Sequence, residues 1–449
     1  IGVNVSVTLT ERQIIVETVT ICDDYQGYVA YTITPWTLDA SSKQKCSGTP
    51  IEDTVWVDPT PVVVATPAKD TICTGDATSI LLTTITSSTN GVEFNYTSTA
   101  SDGSIGGNGS GTLTPGQSIV ETLTNGDDTQ GYVAYTITPR TREASSNQKC
   151  SGTPIEDTVW VDPTPVVVAT PAKDTIWTGD ATSILLSSVT SSTNGVEFNY
   201  TSTASDGSIG GNGSGTLTPG QSIVETLTNG DDTQGYVAYT ITPWTLDASS
   251  NQKCSGTPIE DTVWVEPTAV VSVSPENDTI CSGDNVSITL TSPTVPTREV
   301  RFSYTTEAPP GVTVNPADEN GLAPGTPITS QITNSTDAAQ QVLFIVTPYT
   351  RNATGEGLKC AGINDTAYIW VEPTPMVVAT PAKDTICTGD ATSILLTTIT
   401  SSTNGVEFNY TSTVSDGSIG GNGSGTLTPG QSIVETLTNS DDTQGYVAY

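Results

Sequence analysis

Asp70-Thr71-Ile72-Cys73-Thr74-Gly75-Asp76 returns as Asp174-Thr175-Ile176-Trp177-Thr178-Gly179-Asp180, as Asp278-Thr279-Ile280-Cys281-Ser282-Gly283-Asp284, and again as Asp384-Thr385-Ile386-Cys387-Thr388-Gly389-Asp390. Working outward, Pro59–Asp162 recurs almost residue for residue as Pro163–Glu266, a period of 104 residues. A diverged copy fills 267–372, and a fourth runs from 373 to Tyr449. Residues 1–58 align with the latter part of a copy, because Ile1 matches Ile105. A fixed period of this kind is the mark of a tandem array and has to be read before any local pattern. The chain thus divides into a C-terminal part of a module (1–58), three complete modules (59–162, 163–266 and 267–372) and an N-terminal part (373–449).

Within a module, strand patterns alternate with turn signals. Val92-Glu93-Phe94-Asn95-Tyr96 and Tyr132-Val133-Ala134-Tyr135-Thr136-Ile137 alternate apolar and polar side chains at period two, the spacing of a half-buried strand. Strands are predicted near 62–66, 79–86, 92–99, 112–114, 118–124, 132–138 and 158–162, separated by breakers such as Thr89-Asn90-Gly91 and the Gly-rich run 102–111. Seven short strands in about a hundred residues is the count of an immunoglobulin-like β-sandwich. Linkers of the form Asp/Glu-Pro at 58–61, 162–165, 266–268 and 372–375 are short and proline-stiffened, which favours an extended rod of all-β sandwiches.

Composition narrows the function. There are 48 acidic residues against 14 basic ones, a net charge of −34, so the chain lacks the basic surface that phosphate backbones require, and no nucleic acid or membrane insertion is expected. No apolar run approaches the roughly 20 residues of a membrane-spanning helix. The chain opens at Ile1 without a Met, which reads as a mature or trimmed segment. Histidine is absent, which removes Ser-His-Asp and Cys-His catalysis and His-ligated zinc, so no enzyme and no cofactor is expected. Asp127 and Asp128 are the weak calcium candidates, with solvated surface acids as the simpler reading. Trp56, Trp160, Trp264 and Trp370 read as packing inside the sandwich or against the next module, and Trp36 and Trp244 as exposed rings able to stack on sugars.

The cysteines fall at two repeat positions, Cys73, Cys281 and Cys387 at the first and Cys46, Cys150, Cys254 and Cys360 at the second. Pairing within modules, Cys73 with Cys150 and Cys281 with Cys360, leaves fewer orphans. A bridge between neighbours such as Cys73–Cys254 is the rival, because in a regular sandwich the two positions would lie at opposite ends. Either choice implies an oxidising, extracellular or cell-surface location. Trp177 replaces the first cysteine of the second complete module, and Cys22 is an additional thiol of unassigned state.

Together Thr-Ile-Cys-Thr-Gly-Asp, the strand ending Tyr-Thr-Ile-Thr-Pro, Lys-Cys-Ser-Gly-Thr-Pro and Val-Trp-Val-Asp-Pro resemble the bacterial PKD-like repeat over essentially the whole chain. That resemblance implies an immunoglobulin-like sandwich in a long secreted surface protein, often exported by the type IX route, with a scaffolding role. The Asp-Thr-apolar triplets resemble the O-glycosylation motif of the lineages that carry such repeats. They place covalent glycans at Thr54, Thr71, Thr158, Thr175, Thr262, Thr279, Thr366 and Thr385, against the alternative that each Asp caps a turn into a strand. Two readings of the ends stay open: a window of a longer array, or head-to-tail self-association into a fibre. In the latter, residues 1–58 of one subunit complete 373–449 of the next, with a Cys46–Cys387 intersubunit bridge and with Val3, Val5 and Val7 supplying a strand. A structural filament or stalk is the favoured function, ahead of a carbohydrate- or surface-binding adhesin and of a spacer from a large secreted enzyme.

Overall fold

A computed structural model describes residues 7–10, 13–142, 150–297, 299–351 and 358–449. Among them there is no helix, and strands account for all the regular structure.

The first complete module sets the pattern. Its larger sheet runs Ser110–Leu113, Val92–Ala100, Gly131–Thr141, Ile155–Asp162 and Lys69–Cys73, in that spatial order. The facing sheet runs Ser118–Ile119, Ile80–Thr83 and Val64–Thr66. Phe94, Val133, Tyr135, Ile137, Val159 and Val161 point inward from the first sheet, and Ile80, Leu82 and Ile119 from the second, forming one buried cluster. Each such side chain contributes about 1.5–3 kcal/mol on leaving water, so the period-two pattern in the sequence becomes the core. The second module repeats this cluster and the third enlarges it with longer strands, Asn285–Thr291 and Pro327–Asn334.

One strand escapes the sequence pattern. Lys69–Cys73 lies parallel to Ile155–Asp162, with Cys73 opposite Asp162, whereas Val64–Thr66 belongs to the other sheet. The chain crosses between sheets at the cis Thr66–Pro67 peptide, and the same cis bond recurs at Thr170–Pro171, Ser274–Pro275 and Thr380–Pro381. Proline carries no N–H and so suits a point where the ladder changes partner.

The flanking parts are thinner. The hairpin Gly27–Ile33/Ile51–Val57 keeps the register of its internal counterpart, yet Ile33 and Val55 are 39% and 46% exposed where Ile137 and Val159 are 0% and 1%. Residues 373–449 bury a cluster of Leu396, Phe408 and Ile433 only. Val3 and Val5, read as part of a strand, lie outside the described residues, and Val7 is exposed and in no strand.

Candidate inter-module junction

At each of the four linkers the end of the last strand meets the opening end of the following module. Two loops make backbone contact across the gap. Gln130 N donates to Ser191 O at 3.0 Å and Ser191 N to Asp128 O at 2.8 Å. The same exchange links Asp24 and Gln26 with Ser87, and Asp337 and Ala339 with Ser401, while Val295 N donates to Asp232 O at 2.7 Å. Asp127 and Asp128, the calcium candidates, therefore belong to this clamp: the Asp127 carboxylate accepts the amide of Asp128, and the Asp128 carbonyl holds the neighbouring module.

The acid of each Asp/Glu-Pro linker lies under the clamp. Asp162 is fully buried. Its Oδ1 accepts from Gln130 Nε2 of its own module at 2.7 Å and from Ser192 Oγ of the next at 2.8 Å, and Thr245 of the next module reaches Oδ2 at 3.4 Å. Thr193 closes the ring by donating to Gln130 Oε1. Asp58 repeats the pattern with Gln26 and Ser88, and Glu266, 1% exposed, with Gln234 and the amide of Thr297. At Glu372 burial works to raise the pKa, but hydrogen bonds from Thr403 and Ser402 outweigh it and hold the carboxyl below its usual range. A buried carboxylate is tolerated when its lone pairs are filled, and at Asp162 and Glu266 donors from both modules fill them. The linker acid thus fixes how two sandwiches sit against one another.

The disulfide lies beside this acid and corrects the within-module expectation. Cys73 is bonded to Cys254 of the following module, with a Cα–Cα distance of 5.6 Å. Cys73 stands beside Asp162 at the linker end of its sheet, whereas Cys150 donates its amide to Thr141 at the far end of Gly131–Thr141. Ten strand residues separate those ends, roughly 33 Å at the rise of a strand, against the roughly 4.4–6.8 Å that a disulfide spans between Cα atoms. Cys281–Cys360 fails for the same reason: Cys281 lies opposite Glu372, and Cys360 opposite Thr350 at the other end. Lys253 adds a charge-assisted bond from its Nζ to Thr71 O across the junction.

The next junction is built differently. Trp177 takes the place of the first cysteine, is 5% exposed, and donates from Nε1 to Thr350 Oγ1 of the following module at 2.8 Å, next to Cys360. An indole fills the volume where the neighbouring junction carries a covalent bond.

The other predicted sites scatter over the outer face of the sheets. The tryptophans of the last strand point outward rather than into the core, each of the first three against a tyrosine: Tyr28–Trp56, Tyr132–Trp160 and Tyr236–Trp264, with ring centroids 5.0–5.1 Å apart. Their inward neighbours Val159 and Val161 fill the sandwich, so alternation forces the rings outside. Trp370 lies opposite Gln341 instead. Trp36 is 44% exposed and Trp244 half-buried, both on the short hairpin that presents the second cysteine.

All eight Asp-Thr triplets share one local contact, the Thr amide donating to the preceding Asp Oδ1 at 2.7–2.9 Å. Seven of them lie in strands and the eighth, at Asp384, in irregular chain, so the carboxylate caps a strand amide rather than a turn. Thr54, Thr279 and Thr385 are exposed, and Thr71, Thr158, Thr175, Thr262 and Thr366 half-buried. Asp157 and Asp261 are 2% exposed with Oδ2 unpartnered, and burial, with Asp70 or Asp174 nearby, pushes their carboxyls above the usual range. The diverged module supplies the missing donor, Val273 N to Asp365 Oδ2 at 3.0 Å.

Sequence reasoning missed the junction residues Gln130, Asp162, Ser191 and Ser192. Their loops recur in each copy, but so does nearly everything else in so close a repeat.

The chain is similar to solved structures of tandem immunoglobulin and fibronectin domains. A three-domain immunoglobulin fragment of titin, an E-to-A mutated variant, is 11% identical, covering 69% of this chain and 97% of its own at a TM-score of 0.34. A four-domain ectodomain fragment of ICAM-5 is 10% identical, covering 86% of this chain and 96% of its own at 0.27. Three fibronectin domains of chicken CNTN1 are 10% identical, covering 69% and 98% at 0.24. No curated protein sequence matches the chain. The PKD-like domain family matches residues 70–165, 174–269 and 278–375, each time all but the first strand of a sandwich together with its outgoing linker, and the chain belongs to that family.

Proposed function

We propose that this chain is a non-catalytic extracellular or cell-surface structural protein, a stalk or filament whose working parts are the junctions between PKD-like domains. The observation that carries this reading is the buried linker acid bonded from both sides, because it converts a flexible joint into a packed one. Inter-domain contacts without such locks leave relative motion as the default. Self-association into a fibre belongs to the same proposal. In it, residues 1–58 of one copy would meet residues 373–449 of another and bury the exposed inner face of the Gly27–Ile33/Ile51–Val57 hairpin. Covalent glycans at the eight threonines and export by the type IX route complete this reading. Small-angle scattering of residues 1–449 tests it: a rigid rod one sandwich across is expected, and the profile of a jointed, compacting string of domains would contradict it.

A second reading, a carbohydrate-binding adhesin, draws on the Tyr132–Trp160 type of ring pair, which is open to solvent and repeated along the chain. Glycan-array binding that disappears in Trp160→Ala and Trp264→Ala would favour it.

A further inference from the structure

The smaller sheet of each module turns one side to the core and the other to solvent, and the outer side has a composition of its own. In the first complete module Val62, Val64, Leu81, Ile85 and Val120 alternate with the buried Val63, Ile80, Leu82 and Ile119, so the pleat points them outward, 38–67% exposed. The register sets Thr83 opposite Val64, and Thr66 and Ser118 on either side of Leu81. Aliphatic and hydroxyl side chains thus tile this face. Residues 61–66, 79–87 and 116–120 hold no acid and no base, in a chain with 48 acidic and 14 basic residues. The strands of the larger sheet, by contrast, carry Lys69, Arg140 and Glu156. None of the eight Asp-Thr threonines falls on the smaller sheet either.

The face recurs, and one copy lacks it. Val166, Val168, Leu185, Val189 and Val224 stand exposed at the same five places in the second complete module, and Val378, Leu395 and Val434 at three of them in 373–449. The diverged module keeps the backbone and discards the aliphatics. Ser272 lies opposite Thr291 as Val64 lies opposite Thr83, and Thr289 opposite Ser274 as Leu81 opposite Thr66. Thr329, following the buried Ile328, takes the place of Val120. The inward residues Ile288, Leu290 and Ile328 stay apolar and fully buried. A stable sandwich therefore does not require the outward Val, Leu and Val, and strand propensity does not require them, since Thr serves it as well. What remains is a use at the surface.

We propose that this face docks against the same face of a second copy of the chain, the two lying side by side in contact over at least two modules. Charge, spacing and shape select that partner. An uncharged face gives a basic or an acidic partner nothing to pair with, and it lets two chains of net charge −34 meet while their carboxylates point elsewhere. The face returns at the period of 104 residues, and an identical chain offers its own at the same interval. Two like pleated faces pack as stacked sheets do, about 10 Å apart, in the isologous manner of a two-fold dimer. Area sets the extent of the contact. At roughly 100 Å² for a fully exposed aliphatic side chain, the five half-exposed ones and their hydroxyl neighbours give about 500 Å² per module. One module falls short of the roughly 800 Å² per partner of a stable interface, and two exceed it. This lateral contact does not depend on the head-to-tail association above.

Sedimentation velocity of residues 1–449 across the micromolar range is the test. The expected result is a concentration-dependent dimer that strengthens as salt rises, because screening relieves the repulsion between two acidic chains. The decisive variant gives the three aliphatic copies the residues of the diverged module. It combines Val64→Ser, Leu81→Thr and Val120→Thr with Val168→Ser, Leu185→Thr and Val224→Thr, and with Val378→Ser, Leu395→Thr and Val434→Thr. It is expected to stay monomeric, with the Cys73–Cys254 peptide still present to show that the first two complete modules fold. Trp160→Ala with Trp264→Ala, on the larger sheet, is expected to leave the dimer unchanged. A dimer that persists in the nine-fold variant would overturn the proposal and move the contact to the exposed Gly27–Ile33/Ile51–Val57 hairpin. Loss of the dimer in the tryptophan variant would overturn it in favour of the larger sheet. A dimer weakened by salt, or a monomer at every concentration, would overturn it outright.

Discussion

Two successive junctions of one chain solve the same packing problem with different chemistry. Between the first and second complete modules, Cys73 and Cys254 form a bond beside the buried Asp162. Between the second and third, Trp177 occupies that place and holds Thr350 through its indole N–H, beside a buried Glu266. The loop clamp, Asp128 with Ser191 and Asp232 with Val295, is common to both. What has to be retained is therefore the clamp and the linker acid, while the volume next to them admits either a covalent staple or an aromatic plug. The two differ in what can undo them. A reductant opens only the first, and each sandwich keeps its own core because no disulfide lies within a module among the described residues.

The comparison breaks most sharply at the plug. Trp177→Ala removes a buried indole and is expected to cost about 3–5 kcal/mol. Hydrogen exchange of the Val295 amide, which bridges that junction, should accelerate while the Ser191 amide at the stapled junction keeps its protection. Reduction, or Cys73→Ser with Cys254→Ser, should do the converse, with a loss of about 2–4 kcal/mol at the first junction and no change at the second. Equal effects of a reductant on both amides would refute the distinction.

A smaller effect is expected from the shared part. Asp162→Ala leaves Gln130 and Ser192 without an acceptor in a closed space, a cost of about 1–3 kcal/mol. It should accelerate exchange of Ser191 even with the disulfide intact, which would show that the staple does not by itself set the joint.

The smallest effect is a pH dependence carried by the two near-identical complete modules. The folded carboxyls of Asp157 and Asp261 are raised, chiefly by burial. A raised carboxyl binds its proton more tightly in the folded state, so its contribution is fully present below the unfolded value of about 3.9. It is lost as pH rises through the folded value. The first two complete modules should lose some thermal stability as the pH climbs out of the ordinary carboxylate range. Asp157→Asn and Asp261→Asn, measured by calorimetry, should flatten that slope, and an unchanged slope would show that other groups carry it.

Much of this architecture is legible in the sequence. The period of the repeat, the inward alternation of Val133, Tyr135 and Ile137, and the proline-stiffened linkers follow from patterns along the chain. The strand Lys69–Cys73 is not legible, since five residues between a Thr-Pro and a Thr-Gly-Asp turn look like part of the turn, and their partner is Ile155–Asp162, far along the chain. The outward rings of Trp56, Trp160 and Trp264 were obscured because a tryptophan in a strand suggests a core, although alternation with Val159 and Val161 already put Trp160 on the other face. The phase of the cysteines is hidden for a deeper reason. Cys73 has a second-position cysteine both in its own module, Cys150, and in the next, Cys254, and only the placement of the two positions at opposite ends of a sandwich decides between them.

The most direct test of the account is non-reducing peptide mapping of the intact protein at the first position. The account predicts one cross-linked peptide pair containing Cys73 and Cys254, lost on reduction. A Cys73–Cys150 pair would contradict it, because it would place both cysteines at one end of a single sandwich and remove the staple from the junction.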